Sequence, residues 1–76
     1  MAVKIYTTPS CGYCNVAKDW LRKQKVPFSE YNVAVNMDKA QEMVRKSGQM
    51  GVPVLDVNGK IIIGFNQPAI ERALKK

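Results

Sequence analysis

Two periodicities alternate along this chain. Val3-Lys4-Ile5-Tyr6-Thr7-Thr8 is β-branched and aromatic and stops at Pro9, which predicts a first strand. Ser10 can cap a helix beginning near Cys11, because Val16, Ala17, Trp20 and Leu21 then recur at helical spacing. Lys18, Asp19, Arg22, Lys23 and Lys25 fill the other side of that helix, and Pro27 blocks its continuation. Phe28 to Val33 reads as a second strand. Asn36 then caps a helix whose apolar side is Met37, Ala40, Met43 and Val44, and Gly48 supplies its left-handed stop. Pro53-Val54-Leu55-Asp56-Val57 and Lys60-Ile61-Ile62-Ile63-Gly64 flank Asn58-Gly59, the strongest short hairpin signal. Asn66 caps a last helix bearing Ile70, Ala73 and Leu74, with Pro68 in a first turn that needs no N–H from it.

The order β-α-β-α-β-β-α predicts an α/β fold. A parallel β-α-β crossover joins an antiparallel Asn-Gly hairpin in a four-stranded mixed sheet with helices on both faces. Seventy-six residues leave room for one core, so residues 1–76 are expected to form one domain. Histidine is absent, which excludes imidazole bases and histidine metal ligands. No apolar run approaches the ~18 residues of a membrane span, and no charged leader with an apolar stretch follows Met1. The expectation is a cytoplasmic monomer without a membrane role. Lysine and arginine total 12 against 6 acids, a net charge of +6, concentrated on the first helix and at Lys75-Lys76. A solvated basic face fits that distribution better than nucleic-acid binding, since the paired aromatics of RNA-binding sheets are missing. Asp56, in the middle of a predicted strand, either flanks the Asn58-Gly59 turn or faces solvent.

The chemistry is concentrated in Cys11-Gly12-Tyr13-Cys14, at the junction of a strand and a helix. A purely structural disulfide there closes so short a loop that chain entropy contributes only about 2 kcal/mol. A metal knuckle, for zinc or an iron–sulfur cluster, lacks two ligands, which a second chain or an external thiol must supply. A redox dithiol needs nothing more than the chain supplies. A thiol in the first helical turn meets free N–H groups and the positive end of the helix dipole, which favour the thiolate. Lowering its pKa from about 8.5 to about 6.5 raises the thiolate fraction at pH 7 from roughly 3% to roughly 75%. On this reading Cys11, at the helix tip, is the nucleophile, and Cys14, one turn inside, resolves the mixed disulfide.

These residues resemble the glutaredoxin family, within the thioredoxin fold. The likeness rests on the strand Lys4 to Thr8, the Cys11-Gly12-Tyr13-Cys14 motif, the segment Gly51-Val52-Pro53, and Gly64 after the hairpin. The resemblance implies a thiol-disulfide oxidoreductase with no bound cofactor or metal, acting on protein or small-molecule disulfides. It implies a cis Val52–Pro53 peptide that turns the Val52 backbone toward substrate. Tyr13, Gly51, Val52, Pro53, Gly64 and Phe65 then form the substrate-binding surface, and Tyr13, Met50, Val52 and Phe65 an apolar collar around Cys11. Met50 and Phe65 have an alternative use as caps on the core. Trp20 is expected to pack rather than bind.

The chain departs from the glutathione-using members at several points. Thr8 stands where a basic residue is usual, Met50-Gly51 where a basic or polar residue and threonine are usual, and Gly64-Phe65-Asn66-Gln67 where a glycine pair and an acid are usual. The Gly-Phe pair is more like the small redoxins that serve ribonucleotide reductase and draw electrons from thioredoxin reductase. Each lost charge-assisted contact costs about 1.5–3 kcal/mol, so losing two weakens glutathione at least ~100-fold. Glutathione and thioredoxin reductase are thus the two candidate electron sources, with the second favoured. Lys4 and Lys18 are the cations that would compensate if they reached the site.

Overall fold

The alternation along β1 (Val3–Thr7) sorts its side chains onto two sides of a sheet, as the period of two requires. Val3 and Ile5 face one side, and Tyr6 the other. In the computed structural model, which describes residues 3–74, the chain continues through α1 (Gly12–Lys23), β2 (Ser29–Asn32), α2 (Met37–Ser47), β3 (Val54–Val57), β4 (Lys60–Ile63) and α3 (Gln67–Leu74). Lys75 and Lys76, the end of the basic run, lie outside the described residues. The sheet order is β2-β1-β3-β4: β1 runs parallel to β2 and antiparallel to β3, and β4 pairs antiparallel with β3. This is the predicted mixed sheet.

The side bearing Val3, Ile5, Leu55, Val57 and Ile62 is covered by Ala17 and Leu21 of α1 and Ile70 and Ala73 of α3. Trp20 and Phe65 pack at its margin, edge to face with ring centroids 6.3 Å apart. The opposite side has a smaller apolar cluster of Tyr6, Val54 and Met43, the last from α2. Helices therefore cover both faces, with two on one side and one on the other.

Local signals landed where the chain itself dictates the conformation. Asn36 accepts a hydrogen bond from the Lys39 N–H at 3.1 Å and caps α2, and Gly48 ends it at φ 75°. Asn58 and Gly59 both have positive φ (53° and 91°), as a tight hairpin turn requires. Asn66 accepts from the Ala69 N–H at 3.3 Å at the start of α3.

Two expectations of burial fail, and one open alternative is decided. Of the side assigned to α2, only Met43 is buried, and Met37 is 72% exposed, because α2 turns just one residue of its 11 fully inward onto the sheet. Val16 on α1 is likewise exposed, lying beyond the Ala17–Leu21 contact stripe. Of the two readings of Asp56, the turn flank holds and the solvent-facing one does not: it is buried, accepting from the Gly59 N–H at 2.9 Å and also from Lys46 Nζ at 2.7 Å. It takes both roles, a turn clamp and an ion-pair partner for α2.

Candidate redox site

Strand register brings the predicted site residues to one end of the sheet. Tyr6 pairs with Val54, and Val54 with Ile63. The loop leaving β1, the segment entering β3 and the segment leaving β4 therefore emerge side by side. They carry Cys11 to Cys14, Gly51-Val52-Pro53 and Gly64-Phe65, respectively.

The Cys11 N–H donates to the Thr8 carbonyl at 3.3 Å, a turn that carries the chain one residue beyond Ser10 before helical geometry begins. Cys11 itself, not Ser10, is the N-cap of α1, with φ −92° and ψ 110°. Its Sγ accepts the Cys14 N–H at 3.1 Å. That corrects the predicted cap, and it matters chemically. The sulfur occupies the place where an Asp or Ser oxygen would normally satisfy a free helix N–H, so a thiolate there gains a hydrogen bond and the helix dipole together. Cys11 and Cys14 are joined as a disulfide with their Cα atoms 5.3 Å apart. Cys11 is half-buried, whereas Cys14 is 1% exposed. Tyr13 projects outward, 70% exposed.

Across from the cysteine loop in the fold, the Val52–Pro53 peptide is cis and Pro53 is fully buried. The Gly64 N–H donates to the Pro53 carbonyl at 2.8 Å, tying the end of the hairpin to this loop. Gln49 brackets Gly51: its amide nitrogen donates to the Gly51 carbonyl at 3.0 Å and its oxygen accepts the Gly51 N–H at 2.6 Å. Sequence reasoning gave Gln49 no part in the loop. The two proposed core caps divide: Phe65 packs against the core beside Trp20, while Met50 stands 76% exposed.

The two cations that would compensate on reaching the site, Lys18 and Lys4, are placed elsewhere. Lys18 Nζ is paired with Glu30 Oε2 at 2.8 Å, and the Thr7 hydroxyl donates to the same oxygen at 2.9 Å. The lysine hydrogen bond, aided by Thr7 against some desolvation, holds Glu30 below the ordinary carboxylate range. Lys4 stands near the start of β1, at the end of that strand away from the cysteine loop. Among the described residues, no group of three or more His, Cys, Asp or Glu is arranged to hold a metal ion, and no helix is long and apolar enough to cross a membrane.

A strand delivering a cysteine pair to a helix N-terminus, beside an X-Pro loop and a hairpin end, defines a thiol redox protein of the thioredoxin-like fold. The chain belongs to the glutaredoxin family, whose profile, Glutaredoxin, it matches over residues 3–62. It is 40% identical over 74 residues to a glutaredoxin-like 8.6 kDa protein in the rubredoxin operon of Clostridium pasteurianum, covering 97% of this chain and 99% of that one. It is 37% identical over 62 residues to glutaredoxin 3 of Escherichia coli K12, covering 82% of this chain and 75% of that one. The glutaredoxin-like NrdH-redoxin of E. coli, described as having a thioredoxin-like activity profile, superposes with a TM-score of 0.81 at 28% identity, over 95% of this chain and 93% of that one.

Proposed function

We propose that the protein is a dithiol disulfide reductase in which Cys11 attacks and Cys14 resolves. The observation that carries this reading is the contrast between the half-buried Cys11 at the helix cap and the fully buried Cys14 one turn inside. In the reduced protein, the Cys11 thiolate attacks one sulfur of a substrate disulfide. A Cys11–substrate bond forms, the substrate S–S bond breaks, and the departing sulfur takes up a proton. Cys14 then loses its proton and attacks Cys11 Sγ, forming the intramolecular disulfide and expelling the second substrate thiol. Two electrons pass from the protein to the substrate, with one proton supplied by Cys14 and the other by solvent, which holds the proton already lost from Cys11. A lowered Cys11 pKa assists most when the Cys11–Cys14 disulfide is reduced again and Cys11 is the departing sulfur, since a stabilised thiolate leaves faster.

The reductant that regenerates the dithiol is a flavin-dependent thioredoxin reductase rather than glutathione. Support comes from Thr8, Met50 and the Phe65-Asn66-Gln67 run, which bring no charge to hold glutathione's carboxylates, and from Lys18, whose charge Glu30 already answers. The thioredoxin-like activity profile described for NrdH-redoxin points the same way. Substrates are disulfide-bearing proteins, and a reducing compartment such as the cytoplasm keeps the pair as a dithiol between turnovers.

Two measurements test this. Limited alkylation of the reduced protein near pH 7 is expected to modify Cys11 well before Cys14, and preferential labelling of Cys14 would reverse the roles. Steady-state reduction of the oxidised protein is expected to run faster with thioredoxin reductase than with glutathione and its reductase. The opposite order would return the chain to glutathione-linked chemistry.

A further inference from the structure

On its outer side, α2 carries a feature that disulfide chemistry alone does not require. Val33, Met37, Val44 and Met50, with Gln41 and Arg45, line an open groove of about 530 Å³ between α2 and the segment that leads to Val52. Isolated exposed apolar side chains are ordinary, but a contiguous set around a concavity marks a place where something docks. Met37 and Met50 are mostly in water, and methionine is suited to repacking around varied partners.

We propose that this groove receives an apolar side chain of the disulfide-bearing polypeptide while an acidic neighbour on that polypeptide reaches Arg45. The proposal rests on the disulfide-reductase reading above and names the substrate class it prefers. Continuity with the redox loops places the groove in the path of such a substrate. The Val33 N–H donates to the Thr7 carbonyl at 2.9 Å, so one wall is fastened to the end of β1 that leads to Cys11. Met50, on the other wall, lies two residues before Val52.

Charge selects the occupant. Lys39 and Lys46 on the same helix are paired with Glu42 at 3.3 and 3.4 Å, and Lys46 also with Asp56. Arg45 is exposed, and among the described residues no ion pair answers it. An acid beside an apolar residue complements both halves of the groove. A second copy of the chain is the poorer fit. It would bring another net charge of +6 and, in a two-fold contact, set Arg45 near its own equivalent. Glutathione, with two carboxylates and no large apolar side chain, leaves the methionines uncovered.

The test uses four peptides that share one cysteine, flanked by Leu or Ser and by Glu or Lys, each joined by a disulfide to 5-thio-2-nitrobenzoate. Release of the coloured thiolate by the reduced protein is followed by stopped flow, with glutathione's own mixed disulfide as a fifth substrate and hydroxyethyl disulfide as a small reference. The Leu–Glu peptide is expected to react roughly tenfold faster than the Ser–Glu peptide. It is expected to exceed the Leu–Lys peptide by about two- to fivefold. Met37→Ser removes most of the leucine advantage. Arg45→Glu inverts the preference between glutamate and lysine, a gain of rate on the lysine peptide that a misfolded variant could not produce. Rates indifferent to the flanking residues, an Arg45→Glu variant that keeps the glutamate preference, or glutathione matching the Leu–Glu peptide would each overturn the proposal. So would a concentration-dependent dimer that Met37→Ser dissolves, which assigns the groove to a second copy. If the wild-type protein reduces hydroxyethyl disulfide but shows no peptide preference, docking alone fails. If it reduces none of these disulfides, the reductase reading fails and docking falls with it.

Discussion

The two sides of the sheet are held by different physics. Under α1 and α3 lies a continuous apolar layer, with Ile5, Leu21, Leu55, Val57 and Ile70 all fully buried. Under α2 the buried apolar cluster is smaller, Tyr6, Val54 and Met43, and a line of polar groups continues it. The Tyr6 hydroxyl donates to Glu42, Lys46 Nζ donates to the Tyr6 oxygen at 3.2 Å and to Asp56 at 2.7 Å, and Asp56 accepts from the hairpin turn at Gly59. Non-directional burial suits the side that anchors the redox helix, where α1 must present Cys11 at its tip whatever the oxidation state. Directional bonds suit the other side, where α2 is pinned at a few points and keeps much of its apolar surface available.

The largest break between the two sides is in chemistry. Cys14→Ser, on α1, is expected to abolish dithiol turnover on a protein disulfide and to trap a stable mixed disulfide at Cys11, visible by mass spectrometry as an adduct that a reductant removes. Full turnover in that variant would mean an external thiol resolves the intermediate. The same assay on Lys46→Met, on the α2 side, retains turnover.

Next is stability on the apolar side. Ile70→Ala removes a fully buried side chain where α3 meets β3 and is expected to cost about 2–5 kcal/mol in chemical denaturation. A smaller loss would mean that α3 collapses into the space.

On the polar side, Lys46→Met leaves the buried Asp56 without its charged partner and is expected to cost about 1–3 kcal/mol. Combining it with Asp56→Asn should recover part of that loss, because the neutral amide no longer needs an opposite charge. Strictly additive losses would show that the ion pair contributes nothing as a pair.

The smallest effect is a pH dependence centred on the α2 side. The hydrogen bond from Tyr6, with those from Lys39 and the charge of Lys46, holds Glu42 at about 2 against an ordinary 4.5, despite opposing desolvation. A depressed carboxylate pKa means the unfolded chain takes up the proton first. Its stabilisation is therefore complete above about pH 4.5 and is lost as pH falls toward 2. Lys46 behaves with the opposite sign. Its hydrogen bond to Asp56, then the one to Tyr6, raises its pKa, so its contribution is complete below the ordinary 10.5 and declines as the solution becomes more alkaline. Denaturation midpoints at pH 7 and pH 3 should fall less for Glu42→Gln than for the wild-type protein. An equal fall in both would place the acid sensitivity at another carboxylate, such as Glu30.

Element order, both caps of α2, the Asn58-Gly59 turn and the placement of the cysteine pair were legible because each depends on neighbours a few residues apart. Periodicities of two and 3.6 and the special backbone freedom of Asn and Gly are local properties. Ser10 has the residue type that favours a cap, a short hydroxyl side chain, yet it does not cap α1. What moved the cap to Cys11 was the turn closed on the Thr8 carbonyl, a matter of backbone path rather than residue type. Asp56 was ambiguous for a different reason. A lone acid in an apolar strand can be read only once its partner is known, and Lys46 arrives on another element.

By itself, then, the sequence determined seven elements in order and a dithiol at the junction of the first strand and first helix. It also placed uncharged residues, Thr8, Met50 and Phe65-Asn66-Gln67, at the positions where the family resemblance implies glutathione contacts. Tertiary structure decided which side of the sheet is dry, that Lys18 is committed to Glu30, and that Met37 and Met50 face one groove with Arg45. The division has one physical origin. Local conformation is set by short-range sterics and hydrogen bonds that adjacent residues encode directly. Ion pairing and groove lining depend instead on residues far apart in the chain, such as Tyr6 and Glu42, which meet only when β1 lies beneath α2.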